Sequence, residues 1–223
     1  MKTIIVANWK MNPITVNEAK KLFLAEKKEG AVICPPFQYI ALFKGFNGLG
    51  AQDCHWEEKG AYTGEISARM LKNIGVKYVI IGHSERRSHF KETDETINKK
   101  LVAALNAGLT PILCVGEKKG EDAYEIIENQ LEKDLKGITR KDLNKIIIAY
   151  EPVWAIGTGD FCEAYEAKEV LRFIKEKFSN KVLYGGSVNS KISSEYIEVG
   201  FNGLLVGGAS LNADEFKKIV KNG

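Results

Sequence analysis

The chain has 223 residues, of which 44% are hydrophobic and 27% charged. That is apolar material enough for a sizeable core, and it excludes a disordered composition. The 32 basic and 29 acidic residues leave a net charge of +3, and the Lys-rich segments also carry Glu, which excludes the one-signed footprint of a nucleic-acid-binding surface.

No Pro-, Ser- or Gly-rich linker divides the chain, so a single domain over residues 1–223 is expected. The first apolar run turns polar at Asn8, too soon for a signal-peptide core, and no segment approaches the length of a membrane span. Cys34, Cys54, Cys114 and Cys162 form no Cys-x-x-Cys pair, and their scatter fits a reduced cytoplasmic enzyme. No metal site is expected, because none of the three histidines sits at ligand spacing to a cysteine pair.

Short apolar runs alternate with charged, amphipathic stretches along the chain. Strands are expected at 3–7, 31–34, 49–52, 78–81, 110–115, 145–149, 181–184 and 203–206. A helix is expected over 16–29, where Ala19, Leu22 and Phe23 share one side. Others are expected over 93–106, stopped by Asn106-Ala107-Gly108, over 122–135, over 163–178, and from Asn212 or Ala213 towards the C-terminus. Eight β units alternating with helices fit a closed (β/α)8 barrel, trimmed against the roughly 250 residues usual for that fold. Periodicity alone leaves an open doubly wound sheet standing. No Gly-x-Gly-x-x-Gly follows the first strand, which weakens the dinucleotide-binding version of that sheet.

In a parallel barrel, residues at the carboxyl ends of the strands converge on one face. Here those residues are Asn8 and Lys10 after the first strand, His83 after the fourth, Glu151 after the sixth, Gly185-Gly186-Ser187 after the seventh and Gly207-Gly208 after the eighth. A Gly-Gly pair alone is commonly just a turn. Two pairs at strand ends seven and eight suit a phosphate instead, since glycine lets unpaired N–H groups approach an anion. His83 is followed by Ser84-Glu85 at an expected helix start, where the positive end of the helix dipole disfavours imidazolium. Pro152 stiffens the exit from Glu151, and Gly157 and Gly159 allow the following loop to bend over a ligand. A cation, an imidazole, a carboxylate and two glycine turns suit proton transfer beside a carbonyl on a small phosphorylated substrate.

The run Tyr150-Glu151-Pro152-Val153-Trp154-Ala155-Ile156-Gly157-Thr158-Gly159 resembles the base-and-lid segment of the triosephosphate isomerase family. Four more motifs match in order: Ala7-Asn8-Trp9-Lys10-Met11-Asn12, Gly82-His83-Ser84-Glu85-Arg86-Arg87, Tyr184-Gly185-Gly186-Ser187-Val188 and Gly207-Gly208-Ala209-Ser210-Leu211. The resemblance runs from about residue 3 to about residue 216. It implies a (β/α)8 barrel that interconverts dihydroxyacetone phosphate and glyceraldehyde 3-phosphate without metal or cofactor. That family is a standard illustration of a glutamate base facing a neutral histidine, so those roles come to Glu151 and His83 with the resemblance.

By the same route Asn8 and Lys10 are catalytic and, with Gly157, Ser187, Gly207 and Gly208, hold substrate and phosphate. Glu85 and Cys114 are supporting residues, while His55 and His89 match no catalytic position. Ala61-Tyr62-Thr63-Gly64-Glu65 is similar to the family's interdigitating third loop, which implies a homodimer with Thr63 and Glu65 at its interface. Two departures stand out: the far lid hinge is Asp160-Phe161-Cys162 where the family usually has Lys-Thr-Ala, and connections such as 45–48 are short. Two rivals remain, another phosphosugar enzyme on the same barrel and a non-catalytic phosphate-binding derivative.

Overall fold

A computed structural model describes residues 3–27, 30–157 and 161–223. Eight β-rich runs form eight parallel strands: β1 (Ile4–Asn8), β2 (Val32–Cys34), β3 (Gly50–Ala51), β4 (Tyr78–Ile81), β5 (Thr110–Val115), β6 (Ile147–Tyr150), β7 (Lys181–Tyr184) and β8 (Gly203–Val206). Each lies beside its sequence neighbours, and β8 pairs with β1. The ring closes between β2 and β3 through one parallel bridge, Ile33 to Leu49, where the Ile33 N–H donates to Gly48 C=O at 2.8 Å. A doubly wound sheet would reverse its strand order partway; this one does not, which decides for the barrel.

The principal helices are α1 (Val16–Glu26), α5 (Asp94–Asn106), α6 (Ala123–Asp134), α8 (Ala164–Lys177) and α10 (Ala213–Asn222). Four of these five starts follow side-chain capping. Thr15, Thr93, Asp122 and Asn212 each accept backbone N–H groups from the first turn, and Thr15 with Glu18 makes a reciprocal capping box. Helix α1 ends at Glu26, short of the expected limit, and residues 28 and 29 of that expectation lie outside the described residues. Five shorter helices had no forecast of their own beyond the start at Ser84: α2 (Phe37–Ile40), α3 (Ala68–Ile74), α4 (Ser84–His89), α7 (Arg140–Leu143) and α9 (Ser193–Glu198). Pieces of four to seven residues are too short to print a helical period. Strand β6 also runs later than the expected 145–149, because Lys145 and Ile146 still complete the turn after α7.

Strand alternation divides the apolar residues into two sets. Val6, Val32, Cys34, Ile80, Ile112, Cys114, Ile147, Ala149, Leu183 and Leu205 fill the barrel interior. Residues of opposite parity, such as Ile5, Ala7, Ile81, Leu113, Ile148 and Val182, pack outward against the helices. On six of the eight strands, extending the inward parity one step beyond the filled layer gives Asn8, Gly82, Gly116, Glu151, Gly185 and Gly207. Four of these six have no side chain. These six positions therefore send only one amide and one carboxylate into the carboxyl-end mouth of the barrel.

Candidate active site

The inward set at the mouth depends on close backbone packing. A Cβ on Gly116 would lie 1.8 Å from the Glu151 carbonyl oxygen. On Gly185 it would lie 3.0 Å from Glu151 Cγ, and on Gly207 3.1 Å from Lys10 Cε. Gly82 has φ of +74°, which lets β4 turn sharply into His83. Sequence reasoning named Gly185 and Gly207 but missed Gly82 and Gly116 as site-shaping positions. For Gly116 the signal is the parity it shares with Gly185 and Gly207; for Gly82 it is the turn that follows β4.

Lys10 follows β1 and has φ of +52°, a conformation that costs a residue with a Cβ about 1 kcal/mol. Its N–H donates to Asn8 Oδ1 at 3.0 Å, and Gln52 Nε2 donates to both Lys10 C=O (2.8 Å) and Cys34 C=O (2.9 Å). The bend turns the ammonium back across the mouth, where Nζ donates to Glu85 Oε1 at 2.6 Å. Burial pushes the Glu85 carboxyl up, but the hydrogen bond and charge of Lys10 oppose it, and Glu85 is held below its usual range. Glu85 thus orients the lysine. Behind them Trp9 is fully buried and its indole N–H donates to Glu26 Oε2 at 2.9 Å. Burial raises the Glu26 carboxyl to about 8 against the opposing effect of Trp9.

His83 caps α4 rather than lying within it. Its Nδ1 accepts the Glu85 N–H at 3.2 Å. An imidazole nitrogen that accepts carries no proton, so the ring is neutral and its proton is on Nε2. Nε2 lies 3.3 Å from Glu151 Oε1.

Glu151 leaves β6 with its N–H donating to Val115 C=O at 2.8 Å, and the residue is 1% exposed. Its Oε2 accepts the Ser84 N–H at 2.9 Å, whereas Oε1 accepts no hydrogen bond. The carboxylate is therefore parked at the start of α4, with its other oxygen facing His83 Nε2. Cys114 lies against its inner side, and burial first, then the Glu151 charge, pushes that thiol well above its ordinary range. Such a cysteine is an inert packing neighbour.

The exit from Glu151 is anchored by a residue the sequence did not single out. Glu117 C=O accepts the Val153 N–H (2.9 Å), and its Oε1 accepts from Trp154 Nε1 (2.8 Å) and the Tyr150 hydroxyl (3.3 Å). Of the expected lid, residues 158–160 lie outside the described residues, including Asp160 of the far hinge. Cys162 at that hinge is buried, and its C=O accepts the Tyr196 hydroxyl at 2.7 Å. Burial, followed by Glu166, raises its thiol to about 12.

One cavity of about 150 Å³ brings together Asn8, Lys10, His83, Glu151, Gly157, Ser187, Gly207 and Gly208. Ser187 N–H donates to Ala155 C=O at 3.3 Å, and Gly157 N–H to Ser187 Oγ at 3.3 Å. Both amides are long, weak donors that an anion can claim. Glu85 borders a neighbouring cavity and Cys114 the space behind Glu151. Thr63 and Glu65 lie elsewhere, on an exposed loop where Glu65 Oε2 is 3.5 Å from His55 Nδ1.

A carboxylate, a neutral imidazole donor and a lysine around a pocket with phosphate-sized glycine turns, all at the carboxyl end of a (β/α)8 barrel, define a class: a proton-transferring enzyme for a small phosphorylated carbonyl compound. The family model for triosephosphate isomerase matches residues 3–223. The chain is 46% identical to the triosephosphate isomerase of Thermoanaerobacter sp. (strain X514) over 245 aligned positions, and 48% identical to that of Gloeothece citriformis (strain PCC 7424) over 239. It is 47% identical to that of Synechocystis sp. (strain ATCC 27184 / PCC 6803 / Kazusa) over 238 positions. Each comparison covers 98% of both chains. The chain belongs to the triosephosphate isomerase family. The alignments exceed its 223 residues, so it lacks short stretches those relatives carry.

Proposed function

We propose that this protein is an aldose–ketose isomerase that interconverts dihydroxyacetone phosphate and D-glyceraldehyde 3-phosphate through an enediolate. Glu151 removes the proton from the carbon next to the carbonyl and returns it to the neighbouring carbon. His83, through Nε2–H, and Asn8, through its amide, polarise the carbonyl oxygen and stabilise the enediolate oxygens. Lys10 offsets the developing negative charge and grips the phosphate, helped by amides near Gly157, Ser187, Gly207 and Gly208. Closure of segment 152–162 excludes water, which protects an enediolate phosphate from eliminating its phosphate group. Glu85 and Cys114 support the site, one by orienting Lys10 and the other by packing on Glu151.

The observation that best supports this reading is the His83 hydrogen bond. With Nδ1 occupied by the Glu85 N–H, Nε2–H is the only donor of the ring and is 3.3 Å from the Glu151 carboxylate. Base and electrophile therefore flank one spot without competing for the same proton. A coupled assay on glyceraldehyde 3-phosphate, with Glu151→Gln beside wild type, tests it. Fast turnover abolished by the variant is expected. A wild type that binds phosphate compounds without turnover would favour the non-catalytic reading.

The same reading takes residues 1–223 as one barrel domain acting as a cytoplasmic homodimer. The four cysteines are all free and buried, which fits a reducing compartment. Among the described residues no helix is long and apolar enough to cross a membrane. For the dimer, loop 61–65 is exposed, with Tyr62 packed on His55 at 4.6 Å. A cavity of about 270 Å³ lies beside Lys10, bordered by Met11, Phe37, Glu85 and Phe90, and Met11 is 92% exposed. Thr63 of one subunit entering that space beside the other's Asn8 and Lys10, with Glu65 at the rim, would cover this apolar border.

A further inference from the structure

Two backbone bonds fix the β6 exit against the β5 exit: Glu151 N–H to Val115 C=O at 2.8 Å and Val153 N–H to Glu117 C=O at 2.9 Å. Between them, Gly116 has no backbone partner on that side, and its peptide groups need partners elsewhere. Both come from one side chain. Gln130 Oε1 accepts the Gly116 N–H at 2.9 Å, and Gln130 Nε2 donates to Gly116 C=O at 3.2 Å. Helix α6, which carries Gln130, is itself held by fully buried Ile127 and by Leu131 at 1% exposure.

Gly116 has no slack against the base. The 1.8 Å separation between its would-be Cβ and the Glu151 oxygen means that the two main chains are in direct contact, so moving one moves the other. The Glu151 carboxylate is held by the Ser84 N–H on one oxygen, with His83 Nε2 3.3 Å from the other and the Cys114 thiol beside it. These neighbours orient the carboxylate, and the position from which it reaches is set by its backbone. Gln130 is half-buried and borders the cavity of about 190 Å³ behind Glu151. An amide beside open space contributes little packing; what it contributes is the paired bond.

We propose that Gln130 is a positioning residue for the catalytic base, acting through Gly116 on the Glu151 backbone. The inference rests on the isomerase reading above. Gln130 touches no substrate and lies on the opposite side of Glu151 from the glycine turns assigned to phosphate, so its removal should separate chemistry from binding.

The test compares full-length wild type, Gln130→Met and Gln130→Glu. Methionine keeps the length and loses both bonds, while glutamate keeps the acceptor for Gly116 N–H and loses the donor. Gln130→Met is expected to lower kcat roughly 10- to 100-fold, the consequence of about 1 Å of misplacement. Its KM and its inhibition by inorganic phosphate should stay within about twofold of wild type, as judged against such a shift. Gln130→Glu should fall between the two. Wild-type kcat in Gln130→Met overturns the proposal. So does a parallel loss of kcat, phosphate affinity and thermal midpoint, which would mark a merely structural residue. Absence of turnover in wild type would refute the isomerase reading itself, whereas an active wild type with an equally active Gln130→Met refutes only the positioning role.

Discussion

Glu26 gives the sharpest prediction, because its consequence can be worked from the structure. It is fully buried, accepts one hydrogen bond from Trp9 and leaves Oε1 without a partner. Burial raises its carboxyl from 4.5 to about 8. An acid whose folded pKa is raised stabilises fully below its unfolded pKa, and that stability is lost as pH rises through the folded pKa. Integrating over that window, from about pH 5 to about pH 9, gives a loss on the order of 4 kcal/mol from this group. In a chain of this length that is a fall of roughly 10 °C in thermal midpoint. Glu26→Gln keeps an acceptor for the Trp9 N–H and removes the titration. Midpoints measured by circular dichroism should therefore fall with alkaline pH in wild type and much less in Glu26→Gln, so the variant gains relative stability towards pH 9. Curves for the two proteins that run parallel across the range would refute the argument.

Three further outcomes follow from the site. Glu151→Asp withdraws the carboxylate by about one methylene, and kcat should fall at least about 10²-fold; turnover near wild type would remove Glu151 as base. Lys10→Met should lower kcat by roughly 10²–10³ and weaken inhibition by inorganic phosphate, since it deletes the cation at the anion site; unchanged phosphate inhibition would contradict that role. Thr63→Arg with Glu65→Lys should shift the mass in solution from dimer to monomer and reduce activity, read by light scattering beside the coupled assay. A fully active monomer of the unmodified chain would dispose of the assembly.

The residues proposed to carry the chemistry were legible because strand ends are legible. Short β-branched runs mark the strands, and the polar or glycine residues just beyond them have no other place to go than the mouth. Asn8, His83, Glu151, Ser187 and Gly207 follow that rule. What holds them did not show. Glu26 is 17 positions from Trp9, Gln130 is 14 from Gly116, and Glu117 is 37 from Trp154. Each is an ordinary polar residue whose meaning exists only after helices and loops have packed. Gln130 reads as the polar face of an amphipathic helix, and nothing local distinguishes its amide from a solvated one. The short helices were missed for a related reason: one or two turns leave too few apolar positions to define a face.

The inward layer at the barrel mouth links these levels. Below it, Cys114, Ala149, Leu183 and Leu205 fill the interior with side chains; one step higher, Gly116, Gly185 and Gly207 leave it empty while Glu151 does not. The glycines do two jobs at once. They leave the mouth open, and they allow main chains to approach so closely that the Glu151 peptide is clamped. Alanine at Gly116 would place a carbon 1.8 Å from the Glu151 oxygen, so the base must move or the loop must open. At Gly208 an added Cβ meets nothing within 4 Å, and its φ lies outside the range that excludes other residues. On the proposed reading Gly208 is small for the sake of what binds there, whereas Gly116 is small for the sake of what it holds. Gly208→Ala should raise KM and leave kcat and the thermal midpoint nearly unchanged, while Gly116→Ala should lower kcat. Equal effects of the two substitutions on both parameters would show that the layer acts only as empty volume.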